Sequence, residues 1–116
     1  MKVPLRWALA LAAVGCGASV AEGLDARQLP AAVQADYALF ARRCSKCHAL
    51  ARALNSGIDD DDAWVGYVAR MRRQPGSGIS REDTVAILRF LHYYSLEQRE
   101  RKRARQAAGD QRWSPL

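Results

Sequence analysis

The chain has 116 residues, with 18 Lys and Arg against 12 Asp and Glu, for a formal charge of +6. That length holds one small domain and argues against two, and a composition 49% hydrophobic and 26% charged argues against wholesale disorder. The basic balance invites a nucleic-acid reading, but the charge is unevenly placed. Residues 1–21 carry +2, residues 22–98 hold ten basic and ten acidic side chains, and residues 99–116 hold six against two, or +4.

Lys2 and Arg6 precede the apolar run Trp7 to Val14, and Ser19-Val20-Ala21 offers the small residues that a signal peptidase reads. This is an export signal with cleavage expected after Ala21. The run is shorter than the roughly 20 residues of a bilayer span. Gly15-Cys16 follows it, so lipoprotein anchoring at Cys16 is a rival reading, although Ala13 stands where such signals usually carry Leu. Either way the chain leaves the cytoplasm, and the expected destination is the periplasm. The expected organisation is a signal peptide over 1–21, a domain over 22–98 and a basic tail over 99–116.

Pro30 suits the first turn of a helix. Val33, Tyr37, Phe40 and Ala41 repeat at helical spacing, which predicts a helix over 31–43. It runs into Cys44-Ser45-Lys46-Cys47-His48. This is C-x-x-C-H, the attachment pattern of haem c. Two thiols three positions apart can bond to the two vinyl groups on one haem edge, and the imidazole of the next residue can reach the iron. A disulfide between them would close a very small loop and constrain little of the unfolded chain. C-x-x-C alone also serves thiol exchange and zinc. Three features favour haem: His48 follows the second Cys directly, His92 is the only other histidine, and the preceding segment reads as a helix and not a strand.

Further on, Asn55-Ser56-Gly57 signals a turn. Asp59 to Asp62 are four consecutive acids. They lack the spaced ligands of a calcium loop and read as the N-cap and first turn of a helix over about 60–72. Trp64, Tyr67, Val68 and Met71 share one face of it. Gln74 to Gly78 breaks that helix. Ser80 and Asp83 approximate a capping box, and Ile87, Phe90, Leu91 and Tyr94 mark the buried stripe of a last helix. No alternating strand pattern and no repeat occurs. The expected fold class is all-α.

Over residues 31–96 the chain resembles the class I cytochromes c. The resemblance rests on C-x-x-C-H at 44–48, on Phe40 four residues before the first Cys, and on Trp64, Met71, Pro75-Gly76 and the amphipathic last helix. Asp36 stands where family members often have Gly, at the crossing of the first and last helices. The resemblance implies about three main helices packed around one covalent haem c, held by Cys44 and Cys47, with His48 as one axial iron ligand. It implies Met71 as the other, since this is the only methionine of the mature chain. The alternative for Met71 is a plain core residue, and His92 is a rival ligand. Trp64 and Arg52 could approach the haem propionates; their alternatives are a core aromatic and a solvated charge.

With both axial positions filled by protein, no site remains for substrate or oxygen, and a soft thioether raises the potential. The expected function is then a one-electron carrier, alone or as the cytochrome subunit of a dehydrogenase, and not an enzyme in its own right. The alternative is a haem protein with an open sixth site, acting as a peroxidase or gas sensor. A third reading is a zinc or dithiol protein. The basic run from Arg99 to Arg105 extends the last helix or frays from it. It is a solvated tail or an electrostatic contact with an acidic redox partner or anionic lipid. Nucleic acid is not an expected partner of an exported chain.

Overall fold

The computed structural model describes residues 23–113; residues 1–22, with the expected export signal and Cys16, and residues 114–116 lie outside them. The described chain is all-α. A short 3₁₀ turn at Ala26–Gln28 leads into α1 (Ala31–Cys44), a single turn α2 (Ala51–Leu54), α3 (Asp61–Arg72) and α4 (Arg81–Trp113), with no strand among the described residues. Helices α1 and α3 both pack on α4, which is the spine of the fold.

The helix starts follow from local chemistry. The Asp60 carboxylate accepts from the backbone N–H of Ala63 at 2.9 Å and Asp62 at 3.4 Å, so the acid run is the cap of α3. Ser80 and Asp83 form a reciprocal box at the start of α4. Asp83 N–H donates to Ser80 Oγ at 2.9 Å, and Ser80 N–H donates to Asp83 Oδ2 at 3.1 Å. Between α3 and α4 the chain turns through Gly76 and Gly78, both at positive φ, a conformation that suits glycine. Helix α2 is not anticipated by the helical patterning. Its Ala53 and Leu54 are buried, and the Leu54 carbonyl accepts from Tyr94 Oη at 2.8 Å, so tertiary contact holds a turn too short to stand alone.

The core is aromatic. Phe40 and Phe90 are fully buried with ring centroids 4.9 Å apart, and Tyr37 lies 5.0 Å from Phe90. All four residues of the expected stripe on the last helix, Ile87, Phe90, Leu91 and Tyr94, are buried. Tyr37 also anchors the lead-in, accepting from Leu24 N–H and donating to Leu24 O. At the α1–α4 crossing Asp36 is buried and forms two hydrogen bonds of 2.8 Å with Arg89. The crossing is therefore bridged by an ion pair where a glycine would let backbones touch.

Beyond the region that α1 and α3 cover, α4 runs on without a break. Residues 100–108 are all exposed. The helix totals 33 residues, roughly 50 Å at 1.5 Å per residue. No helix among the described residues is long and apolar enough to cross a membrane.

Candidate functional site

Cys44 is the last residue of α1, and Ser45 continues the helical geometry with its N–H on the Ala41 carbonyl. The motif thus leaves the end of a helix whose apolar face is locked on α4. The link is reinforced by Arg43, whose Nε donates to Asp83 Oδ2 at 2.8 Å. Since Asp83 also caps α4, the end of α1 is tied to the start of α4 beside the cysteines.

Cys44, Cys47 and Met71 line one narrow crevice of about 20 Å³, together with Arg43, Gln74, Ser77 and Ile79. One thiol from the end of α1, one from the turn that follows it and one thioether from α3 are thus brought together. Met71 is half-buried against the core. The segment after α3 closes the crevice. Buried Ser77 donates its hydroxyl to the Arg72 carbonyl at 2.9 Å, and a Cβ on Gly78 would stand 3.1 Å from Lys46 Nζ and 3.3 Å from Arg43 Nη1. Loop 73–79 therefore lies directly over the C-x-x-C turn.

His48 is half-buried and is not one of the residues lining that crevice. Its Nδ1 is 3.1 Å from the Ala49 carbonyl. With Nδ1–H donating there, the Nε2 lone pair is the one left for coordination, and the ring orientation is held by the backbone.

Cys44 is partly buried and Cys47 exposed. Burial pushes the Cys44 thiol up to about 11. The thiolate is the nucleophile of disulfide exchange, so a thiol held protonated at neutral pH is poorly suited to that chemistry. Among the described residues no group of three or more His, Cys, Asp or Glu side chains is placed to hold a metal ion.

One buried polar atom has no partner among the described residues: the hydroxyl of Tyr67. It lies within electrostatic reach of Cys44, and burial raises its pKa, with a smaller push from Cys44 and opposing pulls from Arg52 and Arg70. A buried O–H without an acceptor is costly. It is a donor without an acceptor among the described residues, and sequence patterning placed Tyr67 only on a helix face. The signal that could have found it is its spacing, four residues before Met71 on the same stripe.

Three other residues fall elsewhere. Trp64 donates its indole N–H to Ser95 Oγ at 2.7 Å in the interior, so the core-aromatic alternative describes it. His92 is exposed, its Nδ1 2.9 Å from Asp61 Oδ2, and it lines a groove with Trp64 rather than the cysteine crevice. Arg52 is exposed.

No protein-family model, curated protein or solved structure matches this chain.

Proposed function

We propose that the chain is a small monohaem cytochrome c that carries single electrons in the periplasm, alone or as the cytochrome subunit of a dehydrogenase. The observation that carries this reading is the convergence of Cys44, Cys47 and Met71 on one crevice, with His48 adjacent and its Nε2 free. The donor set suits haem c: two thiols, one imidazole and one thioether.

Haem c, when bound, supplies a one-electron ferric–ferrous couple. Cys44 and Cys47 would hold it, each S–H adding across one vinyl C=C, with sulfur bonding to one carbon and hydrogen to the other. His48 Nε2 and Met71 Sδ would be the protein donors to its iron. The crevice is far narrower than a porphyrin, so the chain would have to open there to admit one. With His48 and Met71 both bound to its iron, no position would remain for an exogenous ligand, which would suit a carrier and not a catalyst. The exposed cations of α4 beyond residue 98 meet an acidic redox partner or an anionic membrane surface.

The test is an optical spectrum of the exported protein from a bacterial host that matures c-type cytochromes. The expected result is haem that survives denaturation with acid and acetone. The ferric form is expected to show the long-wavelength sulfur-to-iron band of methionine ligation, and the ferrous form to resist carbon monoxide at neutral pH. Protein that emerges without covalent haem overturns the reading. Rapid carbon monoxide binding replaces the carrier with an open-site haem protein.

A further inference from the structure

Residues 22–98 hold ten basic and ten acidic side chains, but the fold does not leave them mixed. Helices α1 and α3 both end around the cysteine crevice. The start of α4 is tied there by the Arg43–Asp83 pair. Arg42, Arg43 and Lys46 come to this end with α1, and Arg70, Arg72 and Arg73 with α3. Arg81 opens α4. Arg52 of α2 lies, with Arg70 and Cys44, within electrostatic reach of Tyr67. Eight of the ten cations are therefore gathered at one end. The carboxylates at this end are Glu82, within reach of Arg72, and Asp83, within reach of Arg42 and Arg43. The Asp59–Asp62 run stands at the other end of α3.

Pairing separates the cations further. The two that lie elsewhere, Arg27 and Arg89, each hold a carboxylate. Of the eight, Arg43 alone forms an ion pair among the described residues, and the other seven are exposed. A cation suits the last turn of a helix, where the dipole is negative, and that accounts for those of α1, α2 and α3. It does not account for Lys46, in the turn after α1, or for Arg81, at the positive end of α4. Lys46 Nζ and Arg43 Nη1 also converge on one glycine, 3.1 and 3.3 Å from where a Cβ on Gly78 would stand. Asp83 takes the Nε of Arg43 and not this Nη1. Two cationic donors meeting over a backbone without a side chain form a seat for an oxyanion.

We propose that this cationic end is the docking surface for the partner, a protein bearing clustered carboxylates, one of which sits between Arg43 and Lys46 at Gly78. That the partner is a redox protein rests on the haem reading above; the docking surface does not. Seven of the eight cations are arginines, whose planar fork matches a carboxylate. A lipid surface fits this end less well. Interfacial segments set cations beside exposed apolar side chains, and the exposed large hydrophobics, Val65, Val85 and Leu96, all line the separate groove with His92. The basic half of α4 is a different contact. It begins at Arg99, 18 residues beyond Arg81, about 27 Å along the helix. That exceeds the Debye length of about 10 Å at 0.1 M salt, so the two surfaces act independently.

Titration of the full exported chain with an octaglutamate peptide, followed by backbone amide shifts and calorimetry, tests it. The shifts are expected to cluster at residues 42–46 and 70–81, and binding to weaken with salt. Arg42→Glu with Arg73→Glu should weaken it about tenfold. Arg101→Glu with Arg105→Glu should leave it within about twofold. All four side chains are exposed, so helical circular dichroism should not change; Arg43 is left alone because it ties α1 to α4. Shifts confined to residues beyond 98, or a larger loss from the Arg101 and Arg105 pair, overturn the proposal. So does tighter binding to phosphatidylglycerol vesicles with the same dependence on Arg42 and Arg73, which makes this face lipid-binding. The titration needs no haem. A chain without covalent haem that passes it keeps the docking surface and loses the redox partner, and a haem-bearing chain that fails it keeps the carrier and loses the surface.

Discussion

Asp36 of α1 and Arg89 of α4, 53 positions apart, are joined by two parallel hydrogen bonds of 2.8 Å, with the Asp36 side chain only 10% exposed. The fork of the guanidinium matches both carboxylate oxygens. The pair stands where the two long helices cross, and it makes an aspartate workable there. Removing either partner leaves the other with an unmatched charge at a helix contact, so the effect exceeds that of an ordinary surface pair.

The pair also makes stability depend on pH. The Arg89 hydrogen bonds lower the Asp36 pKa below its ordinary value. A carboxylate with a depressed folded pKa contributes stability that is fully present above the unfolded value of about 3.9 and lost as pH falls through the folded one. Urea midpoints of the native chain should therefore exceed those of Asp36→Asn at neutral pH, and the two should converge in acid below the folded pKa. A constant gap down to that range would show that packing, not the charge pair, sets the difference.

The Trp64–Ser95 hydrogen bond is a second long-range tie, made between two fully buried side chains. Ser95→Ala leaves the indole N–H unmatched in the interior and should cost about 1–3 kcal/mol. Adding Trp64→Phe should cost less in that background than alone, because the donor goes with it. A double-mutant cycle on denaturant unfolding reads the coupling.

At the start of α4, Ser80→Ala removes the acceptor for the Asp83 N–H. The expected loss is about 1 kcal/mol, measured by urea unfolding. Asp83 also holds Arg43 beside the cysteines, so Asp83→Ala should loosen the attachment turn as well. Faster amide hydrogen exchange across residues 43–48 would report it.

For the candidate site, Cys44→Ala and Cys47→Ala should each leave haem held by one thioether, and the double variant none. Mass spectrometry of the denatured chain counts the attachments. Equal loss from substituting Cys47 alone and from the double variant would mean that Cys44, the more buried thiol, does not react.

Met71→Ala should open the sixth position. The expected outcome is loss of the ferric long-wavelength band together with rapid carbon monoxide binding by the ferrous form. Met71 is half-buried, so the haem-free chain should lose only about 1 kcal/mol, less than a full core methionine. Unchanged spectra would place Met71 in packing alone.

Much of the local structure is legible along the chain. The bounds of α1 and α3, the Asp60 cap and the Ser80–Asp83 box follow from spacing and side-chain chemistry within a few residues. The C-x-x-C-H run names a candidate cofactor, because the spacing of its three groups is itself the recognition element. Helix α2 was not legible, since four residues carry no period and owe their form to Tyr94 and the core. Tyr67 read as one more residue on a face, because whether a hydroxyl finds an acceptor depends on what packs over it.

The sequence alone thus determined an all-α chain, its helix starts and the attachment-type motif, all set by interactions between near neighbours. Only the tertiary structure decided that Asp36 is matched by Arg89 and that Trp64 turns its N–H to Ser95. It alone brought Met71 to the cysteines while His92 lines a different groove. Each of these depends on how α1 and α3 are placed on α4. That placement comes from burying Phe40, Trp64 and Phe90 together, a sum over distant residues that no local pattern contains.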